Sequence, residues 1–60
     1  MPRTIVTYKN GHDLTIIGDP AGAFNILLDH ARDHGMQGWR RVGAAIINMS
    51  EVQQVFYVEA

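Results

Sequence analysis

Residues 19–35, DPAGAFNILLDHARDHG, constrain this chain more than any other stretch, because they alone carry a helix's start signal, its period and its stop signal. Asp19 suits the N-cap, where a carboxylate accepts from the free N–H groups of the first turn. Pro20 suits the first helical position, which needs no N–H. Gly35 fits the stop, since glycine takes the left-handed conformation that closes a helix, and His30, Arg32 and His34 suit the negative end of the helix dipole. At 100° per residue Phe24, Leu27, Leu28 and Ala31 fall on one stripe, which should face the core. Ile26 projects opposite Phe24 among polar neighbours and has nothing to pack against in a monomer. A single exposed isoleucine is common, and an assembly contact is the competing explanation.

A lone helix buries its apolar stripe only against something else, and both flanks read as strand. Residues 4–17 predict a β-hairpin, with Asn10-Gly11 as a two-residue type I′ turn. That turn would pair Lys9 with His12, Tyr8 with Asp13, Thr7 with Leu14, Val6 with Thr15, Ile5 with Ile16 and Thr4 with Ile17. Ile5, Thr7, Leu14 and Ile16 would then share one face. The other would carry Val6, Tyr8 and Ile17, more apolar than a solvated face should be. After the helix, residues 39–48 predict a third strand that Gly43 interrupts with a bulge or bend. Residues 53–59 predict the last strand, with Val55 and Tyr57 on one side and Phe56 and Val58 on the other. A short helical turn capped by Ser50 competes for the start of that segment. The expected architecture is α+β: an antiparallel sheet of about four strands, ββαββ, with one helix packed on one face.

Composition sets limits on what supports such a fold. A chain of sixty residues is expected to form a single domain, 1–60, that buries only about 60% of the surface its unfolded form exposes. Small cores are usually reinforced by disulfides, metal or partners. The chain has no cysteine, which removes disulfides and thiolate metal sites and leaves self-association. With apolar residues on both faces of both hairpins, a homo-oligomer is expected, with Ile26, Val6, Tyr8 and Ile17 at its interface. A hydrophobic content of 47% is too high for a disordered chain, and a net charge of −1 offers no excess for nucleic acid. No apolar run reaches membrane-spanning length, and MPRTIV lacks a signal peptide's apolar segment, so a cytoplasmic protein is expected.

Candidate chemistry is sparse. His30 and His34 are four apart on the helix, which is metal-ligand spacing, but no third ligand accompanies them and no metal or other cofactor is expected. The pair also suits the helix dipole or a pH-sensitive interface. Trp39-Arg40-Arg41 looks most like a site, since an indole stacks on a base while guanidinium groups grip phosphate. In a strand Trp39 and Arg41 would share a face and Arg40 would point away, and a core or edge role is the plainer explanation. Gly18-Asp19-Pro20-Ala21-Gly22 is no phosphate loop, because the Walker spacing is missing and Asp19 would repel the phosphate. Ser50 is the only serine and nothing marks a His and Asp as its partners, so no enzyme is expected.

The Asn10-Gly11 hairpin, the single helix and the segment AIINMSEVQQVFYVE, through Ile47-Asn48, Val52 and Phe56-Tyr57, together resemble small bacterial and phage proteins of unassigned role. Those proteins have a hairpin, a helix and a final hairpin ending in IN-x-x-x-V before an aromatic strand. The resemblance implies a compact inhibitor of phage anti-defence style, which occupies a host protein or sequesters a small anionic nucleotide signal in the host cytoplasm. It carries over no functional residue. The reading from the residues is a non-enzymatic binding protein with Trp39, Arg40 and Arg41 as ligand contacts. A nucleic-acid-binding regulator and a purely structural oligomer subunit are the alternatives.

Overall fold

The computed structural model describes residues 1–59. In chain order it has strands β1 (Arg3–Tyr8) and β2 (Asp13–Ile16), helix α1 (Pro20–His34), and strands β3 (Trp39–Val42) and β4 (Ala45–Asn48). A single 3₁₀ turn, Met49–Glu51, then leads into β5 (Val52–Val58). The expected α+β architecture, with one helix between two strand-rich halves, is the one the chain adopts. Its strands form two antiparallel sheets, a three-stranded one in the order β2-β1-β5 and the β3-β4 pair. The division arises because residues 39–48 fold back on themselves. Where one strand with a bulge or bend at Gly43 was expected, a two-residue turn, Gly43-Ala44, divides it into two, with φ +58° at Gly43 as a tight hairpin of the II′ pattern requires.

The first hairpin forms where expected but closes differently. Its loop has three residues, Lys9, Asn10 and Gly11. Gly11 N–H donates to the Tyr8 carbonyl at 3.0 Å, and Tyr8 N–H donates to the His12 carbonyl at 2.8 Å. The Asn10 side chain accepts from His12 N–H at 3.0 Å. Only Gly11 takes positive φ, at +91°, so the loop is a type I turn followed by a glycine bulge instead of a type I′ turn. Pairing therefore runs Thr4 with Ile16, Ile5 with Thr15, Val6 with Leu14 and Thr7 with Asp13. That is one residue away from the register expected of a two-residue turn.

One residue of slip exchanges the faces, since side chains alternate with period two. Thr4, Val6, Tyr8, Leu14 and Ile16 point to the core. Val6 is 0% exposed, and Tyr8 packs half-buried against the core. Neither is available to the outer surface to which the two-residue register assigned them. Ile17 lies beyond β2 and is 66% exposed, while Ile26 is exposed on the helix.

On the other side of β1, β5 pairs from Arg3 with Val58 to Thr7 with Gln54. A bulge at Gln53 then brings Tyr8 opposite Val52. Val55 and Tyr57 accordingly share the inner side, and Phe56 and Val58 the outer side with Ile5; the split of this strand into those two pairs is the expected one.

The helix ends are those its residues announce. Asp19 caps α1 with its Oδ1 accepting from Gly22 N–H at 3.3 Å, and Gly35 N–H donates to the Ala31 carbonyl at 2.9 Å. The buried stripe is rotated from the expected one. Ala23, Leu27 and His30, at i, i+4 and i+7, are buried, with Phe24 and Ala31 half-buried beside them. Leu28 is 50% exposed. A half-turn of sequence had offered Leu28 as the more apolar choice, but His30 takes a core position because the backbone that follows the helix supplies it with an acceptor.

The core comprises Val6, Ala23, Leu27, Val42, Ile47, Met49 and Val52, so every element except the short edge strand β2 contributes at least one buried side chain, and α1 and β1 contribute more than one. Thr4 is the second in β1. Its hydroxyl donates to the Pro20 carbonyl at 2.6 Å, tying the central strand to the first turn of α1. The 3₁₀ turn is capped by Asn48, whose Oδ1 accepts from Ser50 N–H at 3.2 Å and from the Ser50 hydroxyl at 2.7 Å. The helical turn at this point thus forms, with Asn48 instead of Ser50 as its cap. No helix among the described residues is long and apolar enough to cross a membrane.

Candidate functional site

The last turn of α1 and the start of β3 border a shallow, open recess of about 550 Å³. His30 and His34 line it from the helix, Gln37 and Gly38 from the connection, and Trp39 and Arg40 from the strand. The connection is held on both sides. His30 Nε2–H donates to the Gln37 carbonyl at 2.7 Å, and the Gly38 carbonyl accepts from Met49 N–H at 2.8 Å. A carbonyl can only accept, so Nε2 carries a proton and is the donor, while Nδ1 is the ring nitrogen turned into the interior. That atom is buried with no hydrogen-bond partner.

The imidazoles of His30 and His34 lie 5.1 Å apart between centroids and are tilted by 47°. Among the described residues no cluster of three or more His, Cys, Asp or Glu side chains could hold a metal. The i, i+4 spacing here pairs a buried ring that braces the loop with an exposed ring that borders the recess.

Of the three residues marked at the start of β3, two meet in the recess and one does not. Trp39 is 67% exposed and lines it together with Arg40. Arg41 is absent from the lining, and its Nε donates to the Gly43 carbonyl at 3.2 Å, so it braces the β3-β4 turn. Strand alternation puts Trp39 and Arg41 on one face, as expected, yet it is Arg40, from the other face, that meets Trp39 in the recess. Register sets Arg40 opposite Ile47 and Val42 opposite Ala45 on the inner face, with Trp39, Arg41 and Ile46 on the outer face. Trp39 nevertheless borders the recess because it is the first residue of the strand, where the chain arrives from Gly38. Arg40 sits beyond the core residue Val42 on the inner face, toward the end of α1.

Among the described residues the lining contains no carboxylate; Arg40 brings a guanidinium, and His34 and the Gln37 side chain bring hydrogen-bonding capacity. Arg32, also in the last turn of α1, is committed elsewhere, to Asp29 at 2.6 Å and Asp33 at 3.7 Å. A flat exposed indole beside a guanidinium and an imidazole can stack on an aromatic ring while hydrogen-bonding an anion. His30, Gln37 and Gly38 were not singled out together from sequence. Only the His30/His34 spacing hinted at them, because their meeting depends on how the chain turns after Gly35.

Compared with known proteins, the chain matches no family model, no curated protein and no solved structure.

Proposed function

We propose that this chain is a non-enzymatic binding protein that captures a small anionic aromatic ligand of the nucleotide class in the recess between His34 and Arg40. One observation carries this reading: Trp39, the only tryptophan, stands 67% exposed beside Arg40 in a recess that has no carboxylate among the described residues. A chain this short gains most of its stability from burying large apolar groups. An indole left in solvent beside a cation is a stacking surface before it is a core residue.

Energetics say how such a site would be used. Stacking on an aromatic side chain contributes about 1–3 kcal/mol per base, and a hydrogen bond to a charged group about 1.5–3 kcal/mol. Their sum stays below about 6 kcal/mol, which corresponds to a dissociation constant no tighter than roughly tens of micromolar. Capture strong enough to sequester a signal would need several copies acting on one ligand. The proposal therefore includes self-association, and a role in the cytoplasm as an inhibitor of phage style that withholds a nucleotide signal or occupies a host protein. A small ligand is favoured over a nucleic-acid backbone because Arg40 and Arg41 diverge across β3, and the net charge is −1.

Because Trp39 is the only indole, its fluorescence reports the site without a label. Titration with adenosine monophosphate and with a cyclic dinucleotide should quench it. Arg40→Ala should weaken binding by about tenfold or more, the loss of one charge-assisted hydrogen bond, and Arg41→Ala should leave it unchanged. Absence of quenching at millimolar nucleotide, or equal losses in the two variants, would overturn the assignment.

A further inference from the structure

We infer that the free edge of β5, with the apolar groove beside it, is the surface through which two copies of this chain pair. The inference rests on the self-association proposed above and names the surface that performs it. Among the described residues β5 pairs only with β1, so its other side presents unpaired backbone N–H and C=O groups. Edge strands usually carry a charge, a proline or a short length that blocks pairing with another chain. The opposite edge, β2, has such protection, with four residues that include Asp13. In contrast β5 runs for seven residues, VQQVFYV, with neither charge nor proline. Its bulge at Gln53 lies at the start, which leaves residues 54–58 in regular register.

Beside that edge, α1 and β5 border a groove of about 300 Å³ lined by Phe24, Leu28, Met36, Met49 and Val55 among others. Leu28 and Met36, on its rim, are 50% and 44% exposed. No ionisable side chain lines the groove, and this selects the occupant. Across a two-fold axis the same patch meets itself, so charges of one sign on it would be brought against their own copies. A strip with no charge meets that condition, whereas a foreign partner is ordinarily chosen by complementary charges.

The symmetry also fixes the register. Along an edge strand alternate residues point their backbone groups outward, so antiparallel self-pairing sets residues of equal parity face to face and leaves one residue opposite its own copy. Pairing the whole of Val52–Val58 puts Val55 there. The two helices then flank a six-stranded sheet, and each rim of Leu28 and Met36 is covered by the second copy.

Native mass spectrometry and light scattering over a range of concentrations test this. The wild type should be dimeric. Leu28→Lys with Met36→Lys should raise the dimer dissociation constant by about tenfold or more, because dimerisation would bury unpaired charge. Ile17→Lys with Ile46→Lys, at exposed apolar positions on other surfaces, should leave it unchanged. In this cysteine-free chain Val55→Cys should form a disulfide-linked dimer on mild oxidation, while Gln54→Cys and Phe56→Cys should not, since only directly facing positions lie within disulfide reach. A monomeric wild type would overturn self-association altogether. A dimer untouched by the rim charges, or broken by the Ile17 and Ile46 pair, would overturn this surface and leave the ligand reading standing.

Discussion

Asp19 and Gly22 show how tightly single residues are matched in this chain. Asp19 adopts a left-handed backbone, φ 51° and ψ 61°, which brings its carboxylate over the first turn of α1. A Cβ on Gly22 would run into that carboxylate. Alanine in place of glycine within a helix ordinarily gains about 0.5–1 kcal/mol, but here it would displace a cap whose loss costs about 1 kcal/mol. Gly22→Ala is thus expected to destabilise the wild type and to stabilise the Asp19→Ala variant. A double-mutant cycle by urea denaturation reads the change of sign, and a Gly22→Ala that stabilised both backgrounds would contradict the cap geometry. Thr4 makes a second case. Thr4→Val keeps the volume but removes the hydroxyl's bond to the Pro20 carbonyl, at a cost of about 0.5–1.5 kcal/mol measurable in the same assay.

At the scale of elements, the turn at Asn10-Gly11 decides which half of a hairpin becomes interior. Two-residue and three-residue loops both accept this dipeptide, and they differ by one residue of register. Gly11→Ala must force a side chain to φ +91° and should cost about 1 kcal/mol, whereas Asn10→Ala, at a position of negative φ, should cost less. Its cost is that of the exposed Asn10 bond to His12 N–H, and an Asn10→Ala loss larger than that of Gly11→Ala would contradict the glycine-bulge turn. Cross-strand contacts in solution should link Val6 to Leu14 and Thr4 to Ile16. The connection after α1 depends on one imidazole. His30→Ala leaves a cavity and an unpaired Gln37 carbonyl, so a loss of about 2–4 kcal/mol is expected. Nucleotide quenching of Trp39 should fall with it, since the same carbonyl holds the recess in shape.

For the whole molecule, a small core has to close three layers of chain with few side chains. Ile47 and Met49 are 0% exposed and join the β3-β4 hairpin to the helix and main sheet. Ile47→Ala should therefore cost about 2–5 kcal/mol, a large share of the 5–15 kcal/mol that ordinary domains possess. Thermal melting of that variant should reveal partial unfolding at room temperature. If the β5 edges pair, binding stabilises the folded state by mass action, and the melting temperature should rise with protein concentration. The Leu28→Lys, Met36→Lys variant should lose that dependence.

Those features that rest on a few neighbouring residues were readable in the sequence: the helix and its two ends, the hairpin at Asn10-Gly11, the split of Val55 and Tyr57 from Phe56 and Val58 across β5, and the shared face of Trp39 and Arg41 on β3. Each depends on backbone conformations and hydrogen bonds within about one turn of chain. The alignment of the first hairpin was not readable, because local turn chemistry permits two registers. Burial of Val6 and Thr4 under the helix selects one of them. Nor was the place of His30, which belongs to a core only once the Gln37 carbonyl is folded back to accept its hydrogen bond, or the meeting of Trp39 and Arg40 in one recess. Side chains distant in sequence set these outcomes, since a buried polar group and a packed face are stable only where their partners arrive together.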